Sequence, residues 1–135
     1  MASAITHFEI HVDDIEKAKK FYSELFGWEF TDASMGEGME YWLIRTGRTT
    51  GMDGGQVGID GGLVKRSGKM PEIMSAPNAF SCTILVEDVE ATVEKALSLG
   101  ASKTTDKMDI PNVGLWYGLK DPAGNHLGVL QPPTA

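Results

Sequence analysis

The feature that most restricts the fold is a half-length repeat. HFEIHVDDIEKAKKFYSELFG at 7–27 and SCTILVEDVEATVEKALSLG at 81–100 follow one order: alternating strand, acidic turn, amphipathic helix, closing glycine. VDDI at 12–15 corresponds to VEDV at 86–89. Alternate residues of a strand point to opposite faces. Phe8, Ile10 and Val12 therefore share one face, as do Cys82, Ile84 and Val86, while His7, Glu9 and His11 lie opposite, matched by Ser81, Thr83 and Leu85.

The helices follow from spacing. Ile15, Ala18, Tyr22, Leu25 and Phe26 recur at three to four residues, as do Val89, Val93, Ala96, Leu97 and Leu99. Asp13 and Glu16 have the separation of a capping box, and Asp88 suits the start of the second helix. Gly27 and Gly100 suit the left-handed position that ends a helix.

Strand-like runs follow each helix: 28–34, 39–46 and 57–66 in the first half, 101–108, 114–120 and 126–131 in the second. The expected fold is therefore α+β, two βαβββ modules in one domain over 1–135. Module one spans 1–66, module two 79–135, and the proline-containing segment 67–78 links them. One helix covers one face of a four-stranded sheet, so the uncovered faces of two curved mixed sheets are expected to form a cleft for a ligand.

Composition limits the partners. Twelve basic against nineteen acidic residues leave a net charge of −7, with the basic residues dispersed, which argues against nucleic acid. No apolar run approaches membrane-spanning length and no basic-then-apolar leader is visible, so a cytoplasmic protein without a membrane partner is expected. Cys82 is the only cysteine, which excludes an intrachain disulfide; its strand-like setting predicts a small buried hydrophobe.

These residues resemble a known superfamily. Paired βαβββ modules, VDDIEKAKKFYSELFGW and the terminal DPAGNHLGVLQP are similar to the vicinal oxygen chelate superfamily, which includes glyoxalases, extradiol dioxygenases and bleomycin and fosfomycin resistance proteins. GGLVKR and IPNVG further resemble a glyoxalase-like subgroup. The resemblance implies a homodimer, and a divalent ion held by the first and last strands of each module. Carried over, the four ligand positions fall on His7, Gly62, Ser81 and Gly128. Two glycines and a hydroxyl are poor donors for such an ion. The expectation is therefore no metal and no cofactor.

Three readings of His7, Glu9 and His11 stand side by side: polar cleft wall, acid/base group with Glu9 or His7 as catalytic base, or a new metal site completed by His126. The candidate ligand-binding residues are His11, Trp42, Ser81, Thr83, Trp116 and His126. Tyr41-Trp42 and Trp116-Tyr117 are adjacent pairs, so at most one of each lines the cleft. The glycine-rich run 51–62 lacks a phosphate-loop context and reads as a loop over the cleft mouth. Two functions follow: sequestration of a small, flat or aromatic ligand, or a metal-independent lyase or isomerase.

Overall fold

A computed structural model describes residues 5, 7–34, 40–47, 58–72, 75 and 80–133. The glycine-rich run over 51–57 and the linker positions 73–74 and 76–79 lie outside the described residues. The chain divides into two compact units, Met1–Lys69 and Met70–Ala135.

In the first unit the alternating run forms β1 (Phe8–Val12), with Val12 buried and Glu9 and His11 exposed. Helix α1 (Ile15–Phe26) starts at Asp14, whose extended backbone turns its carboxylate onto the Lys17 amide at 3.1 Å. The cap thus falls one residue after the expected Asp13, and no reciprocal Glu16 contact forms, because three residues beyond the cap stands a lysine. Asp13 instead lies 3.5 Å from Arg66 Nε. Gly27, at φ 74°, ends the helix and donates its N–H to the Ser23 carbonyl at 2.9 Å.

Strands β2 (Glu29–Asp32), β3 (Tyr41–Arg45) and β4 (Gly61–Lys65) complete a mixed sheet of order β1-β4-β3-β2, with β1 parallel to β4. The centre of the helix-covered side is apolar. Ile15, Ala18, Phe21 and Tyr22 of α1 are buried, as are Val12, Ile44 and Leu63 of the sheet. Phe21, absent from the expected stripe, is the most buried aromatic ring of α1. Trp28, directly after the helix, stacks on Tyr22 at 4.9 Å and meets Phe8 and Phe26, so it serves the core.

The second unit repeats the plan with one addition. Strand β5 (Cys82–Leu85) leads to α2 (Val89–Ser98), capped by Asp88 on the Ala91 amide at 3.1 Å. Leu99 closes α2, and Gly100 follows at φ 99°. Then come β6 (Ser102–Lys103), β7 (Met108–Ile110), β8 (Gly114–Lys120) and β9 (His126–Gln131). The sheet runs β5-β9-β8-β6, with β7 also pairing β8.

The single strand expected over 101–108 is two short ones. Thr105 interrupts it: its hydroxyl, not a backbone carbonyl, accepts the Gly118 amide at 2.9 Å. Helix α2 packs across β9, β8 and β6. Cys82 sits on the edge strand β5 and is exposed, contrary to the buried position expected for it. Leu97 is exposed as well, so the stripe of α2 narrows to Val89, Val93 and Ala96.

The DPAGN turn between β8 and β9 is built around a buried carboxylate. Asp121 accepts the amides of Ala123 and Asn125 and the Asn125 side-chain amide at 2.8–3.1 Å. Beside it Lys120, only 2% exposed, uses its ammonium on the carbonyls of Glu72 and Ser75 and on the Ser75 hydroxyl. A buried ammonium needs such acceptors, and here they hold part of the expected linker onto the second unit. Among the described residues no helix is long and apolar enough to cross a membrane.

Candidate functional site

On the helix-free face of the first unit, four side chains form one hydrogen-bonded string. His7 Nε2 lies 3.0 Å from the Tyr41 oxygen, the Tyr41 hydroxyl donates to Glu9 Oε2 at 3.0 Å, and Glu9 Oε1 lies 2.9 Å from His11 Nε2. A phenol has one proton to give, and Glu9 takes it; His7 therefore donates Nε2–H to the phenol oxygen, and His11 donates to Glu9. Burial first, then the hydrogen bond and charge of Glu9, push the Tyr41 phenol above its ordinary pKa. Each Glu9 oxygen thus takes one of these bonds, Oε2 from Tyr41 and Oε1 from His11.

Tyr41 can lie there because of what is beneath it. Glu9 pairs with Gly62 across β1 and β4, while Tyr41 opposes Val64, two residues further along β4. From that diagonal position the phenol leans back over Gly62, where any side chain would collide with its ring and oxygen.

The second unit builds the same arrangement with other residues. Thr83 pairs with Gly128 across β5 and β9, and Trp116 opposes Leu130, again two residues along. The indole lies over Gly128 so closely that a side chain there would strike Nε1. Its far edge reaches Gly118, which pairs with Gly128. Trp116 Nε1–H donates to the Thr83 hydroxyl at 3.2 Å. Ser81 is exposed just ahead of β5.

His126 shares the parity of Gly128 on β9. Burial, followed by the charge of Lys120, lowers its pKa from the ordinary histidine value. Among the described residues, His126 Nδ1 and the Thr104 hydroxyl are buried without a hydrogen-bond partner.

Trp42 requires a correction. It belongs to the helix-covered face, with Lys19 Nζ of α1 only 3.5 Å from its ring centroid and its indole N–H on Glu40. The residue of that pair on the His7 face is Tyr41, which the sequence reading left undecided. A signal was present: Tyr41 shares parity with Arg45, whose charge disfavours a place beneath α1, whereas Trp42 shares parity with Ile44. In β8 the corresponding choice falls on Trp116, and Tyr117 turns to the helix side, its hydroxyl 3.0 Å from the Glu90 carboxylate.

The four positions that the family resemblance assigns to a divalent ion do not fit one. His7 offers an imidazole, Ser81 a neutral hydroxyl, and Gly62 and Gly128 no side chain. The space a ligand side chain would need at the two glycines is filled by a phenol and an indole, and the indole N–H only donates. Among the described residues no three His, Cys, Asp or Glu side chains come together as a metal-binding group.

Comparison with known proteins agrees with this architecture. Residues 4–47 match the family model described as bleomycin resistance protein-like N-terminal. Over 124 residues, 92% of its length, the chain is 27% identical to CFP32 of Mycobacterium tuberculosis, a protein named as a glyoxylase, and it spans 42% of that relative. A glyoxylase/bleomycin resistance protein/dioxygenase domain from Frankia sp. EAN1pec superposes with a TM-score of 0.70 at 16% identity, covering 98% of this chain and 100% of that one. TnmS3, an antibiotic binding protein from Streptomyces sp. CB03234, superposes with a TM-score of 0.61 at 24% identity, covering 98% of each chain. At these identities the superpositions establish the fold.

Proposed function

We propose that the chain is a member of the glyoxalase/bleomycin resistance/dioxygenase superfamily, a reading supported by its fold and by the match over residues 4–47, and that it binds a small organic molecule without a divalent metal. The observation that carries the reading is the donor set at the resemblance-assigned positions, one imidazole against two glycines and a hydroxyl. What stands over those glycines is a pair of aromatic side chains, Tyr41 and Trp116. Aromatic walls with a few fixed polar groups suit organic ligands better than ions. TnmS3 binds an antibiotic on the same fold, which supports sequestration as the role. We further expect a homodimer, seen as twice the chain mass by light scattering.

A second reading has its own observation. The bonds joining His7, Tyr41, Glu9 and His11 form an exposed path along which a proton can be relayed. In a metal-independent lyase or isomerase, His7 or Glu9 would remove an acidic C–H or O–H proton from the ligand; with His7 as the base, the Glu9 charge beyond Tyr41 would favour the imidazolium.

One experiment separates the two. Tryptophan fluorescence is followed while aromatic metabolites and drugs are added to the full chain, and each mixture is assayed for product. Binding with unchanged ligand supports sequestration. Turnover abolished by Glu9→Gln, with binding kept, supports the enzyme. Stoichiometric metal in protein purified without chelator would overturn both.

A further inference from the structure

We infer that each helix-free face carries one ligand-selecting aromatic residue, Tyr41 in the first unit and Trp116 in the second, and that glycine at 62 and 128 is what seats it. The inference rests on the binding reading above and names the residues that choose the ligand.

The register makes the two sites equivalents. In each unit the second pair of the parallel register sets a glycine against the first strand, Gly62 with Glu9 and Gly128 with Thr83. In each, the aromatic residue opposes the position two beyond that glycine, Val64 or Leu130. In each, its polar tip returns to the paired first-strand residue, phenol to Glu9 and indole to Thr83. Three coincident features are not expected from chance packing. A Cβ at either glycine would drive the ring off its seat, because the nearest atoms belong to that ring.

The two tips select differently. The Trp116 N–H is engaged by Thr83, so what the indole offers is its face, which discriminates by planarity. The Tyr41 hydroxyl proton is spent on Glu9, whose exposed carboxylate takes one bond on each oxygen from Tyr41 and His11 and has lone pairs for further donors. A ligand entering there gains most by bringing an O–H or N–H to Glu9. The first face therefore suits an aromatic compound carrying a hydroxyl or amine donor, and the second suits a planar aromatic ring. A purely hydrocarbon ring satisfies Trp116 alone, and an anionic one is repelled by Glu9.

The test uses the full chain, naphthalene and 2-naphthol as probes, and Gly128→Ala, Gly62→Ala, Trp116→Phe and Tyr41→Phe as variants. Gly68→Ala is the control, since nothing lies within 4 Å of a Cβ there. Expected for Gly128→Ala and Trp116→Phe is a loss of about tenfold for naphthalene. For Gly62→Ala and Tyr41→Phe, which take the phenol donor away from Glu9, the preference for 2-naphthol over naphthalene should increase, while naphthalene affinity is kept. Nitrogen-15 spectra follow seating independently of any ligand: the Trp116 indole signal should move in Gly128→Ala, and the His7 ring nitrogen signals should move in Gly62→Ala. Unmoved signals, or probe binding indifferent to all four changes, would overturn the inference and leave the binding reading intact. Failure of the wild type to bind either probe would overturn ligand selection together with the binding reading, with seating still decided by the spectra.

Discussion

The two units carry the same two aromatic residue types in opposite order, Tyr41-Trp42 in β3 and Trp116-Tyr117 in β8. In both, the first member faces away from the helix and the second toward it. The first unit thus presents a phenol tied to two ionisable side chains, His7 and Glu9, and the second presents an indole tied to a neutral hydroxyl. Near that indole the strand β5 carries Leu85, 70% exposed, where β1 has His11. Repetition of the fold fixes where a side chain stands, and the order of two residues fixes which chemistry stands there. One unit is suited to hydrogen bonding and the other to apolar contact.

The largest expected effect tests the seats. Gly128→Ala should destabilise the protein by about 2 kcal/mol, because the indole it displaces also spans Gly118 and has little room to retreat. Gly62→Ala should cost about 1 kcal/mol, since the phenol tip can swing out at the expense of its two hydrogen bonds. Urea denaturation measures both, and equal costs would break the proposed difference between the units.

The caps should show no such difference. Asp14 and Asp88 hold nearly the same backbone angles and each accepts an amide at 3.1 Å. Alanine at either should lower stability by about 1 kcal/mol. A marked inequality would mean that the repeat is less regular than its geometry.

On the helix side, the hydrogen bond from Lys107, followed by that from Tyr117, holds the Glu90 carboxyl below its ordinary pKa. A folded value below the unfolded one adds stability above the unfolded pKa, and this is lost as pH falls through the folded value. The stability difference between wild type and Glu90→Gln should therefore be present at neutral pH and vanish in acid, followed by thermal melting across pH. The smallest effect belongs to Lys19→Met, which removes the cation over Trp42 and should cost about 0.5 kcal/mol.

Much of the fold was legible because alternation and helical spacing run long enough to be unambiguous. Strands β8 and β9 lie at their expected bounds, each with bulky apolar residues on one parity. The expected strand over 101–108 failed because a threonine hydroxyl took a ladder position, a choice that tertiary contact decides. The cap of α1 was misplaced by one residue because Asp13 and Asp14 are consecutive and only the position of Arg66 decides which is free to cap. Cys82 looked buried because its run is apolar, but burial at an edge strand depends on how far a helix reaches.

At the candidate site the parity of His7, Glu9 and His11 was readable, and the string joining them was not, since it passes through Tyr41 from a strand far along the chain. The glycines were legible as missing donors. That each is a seat for an aromatic ring required the register of two strand pairs. Trp42 was misassigned because a large aromatic residue beside another offers no parity of its own; the neighbouring Arg45 supplies it.

The account stands or falls on the ligand positions at Gly62 and Gly128 being taken by aromatic rings. Titrating chelator-free protein with manganese(II) while recording the electron paramagnetic resonance of the free ion tests this directly. The signal should stay at full intensity in the presence of excess protein. Loss of one equivalent of signal, restored by His7→Ala, would contradict it.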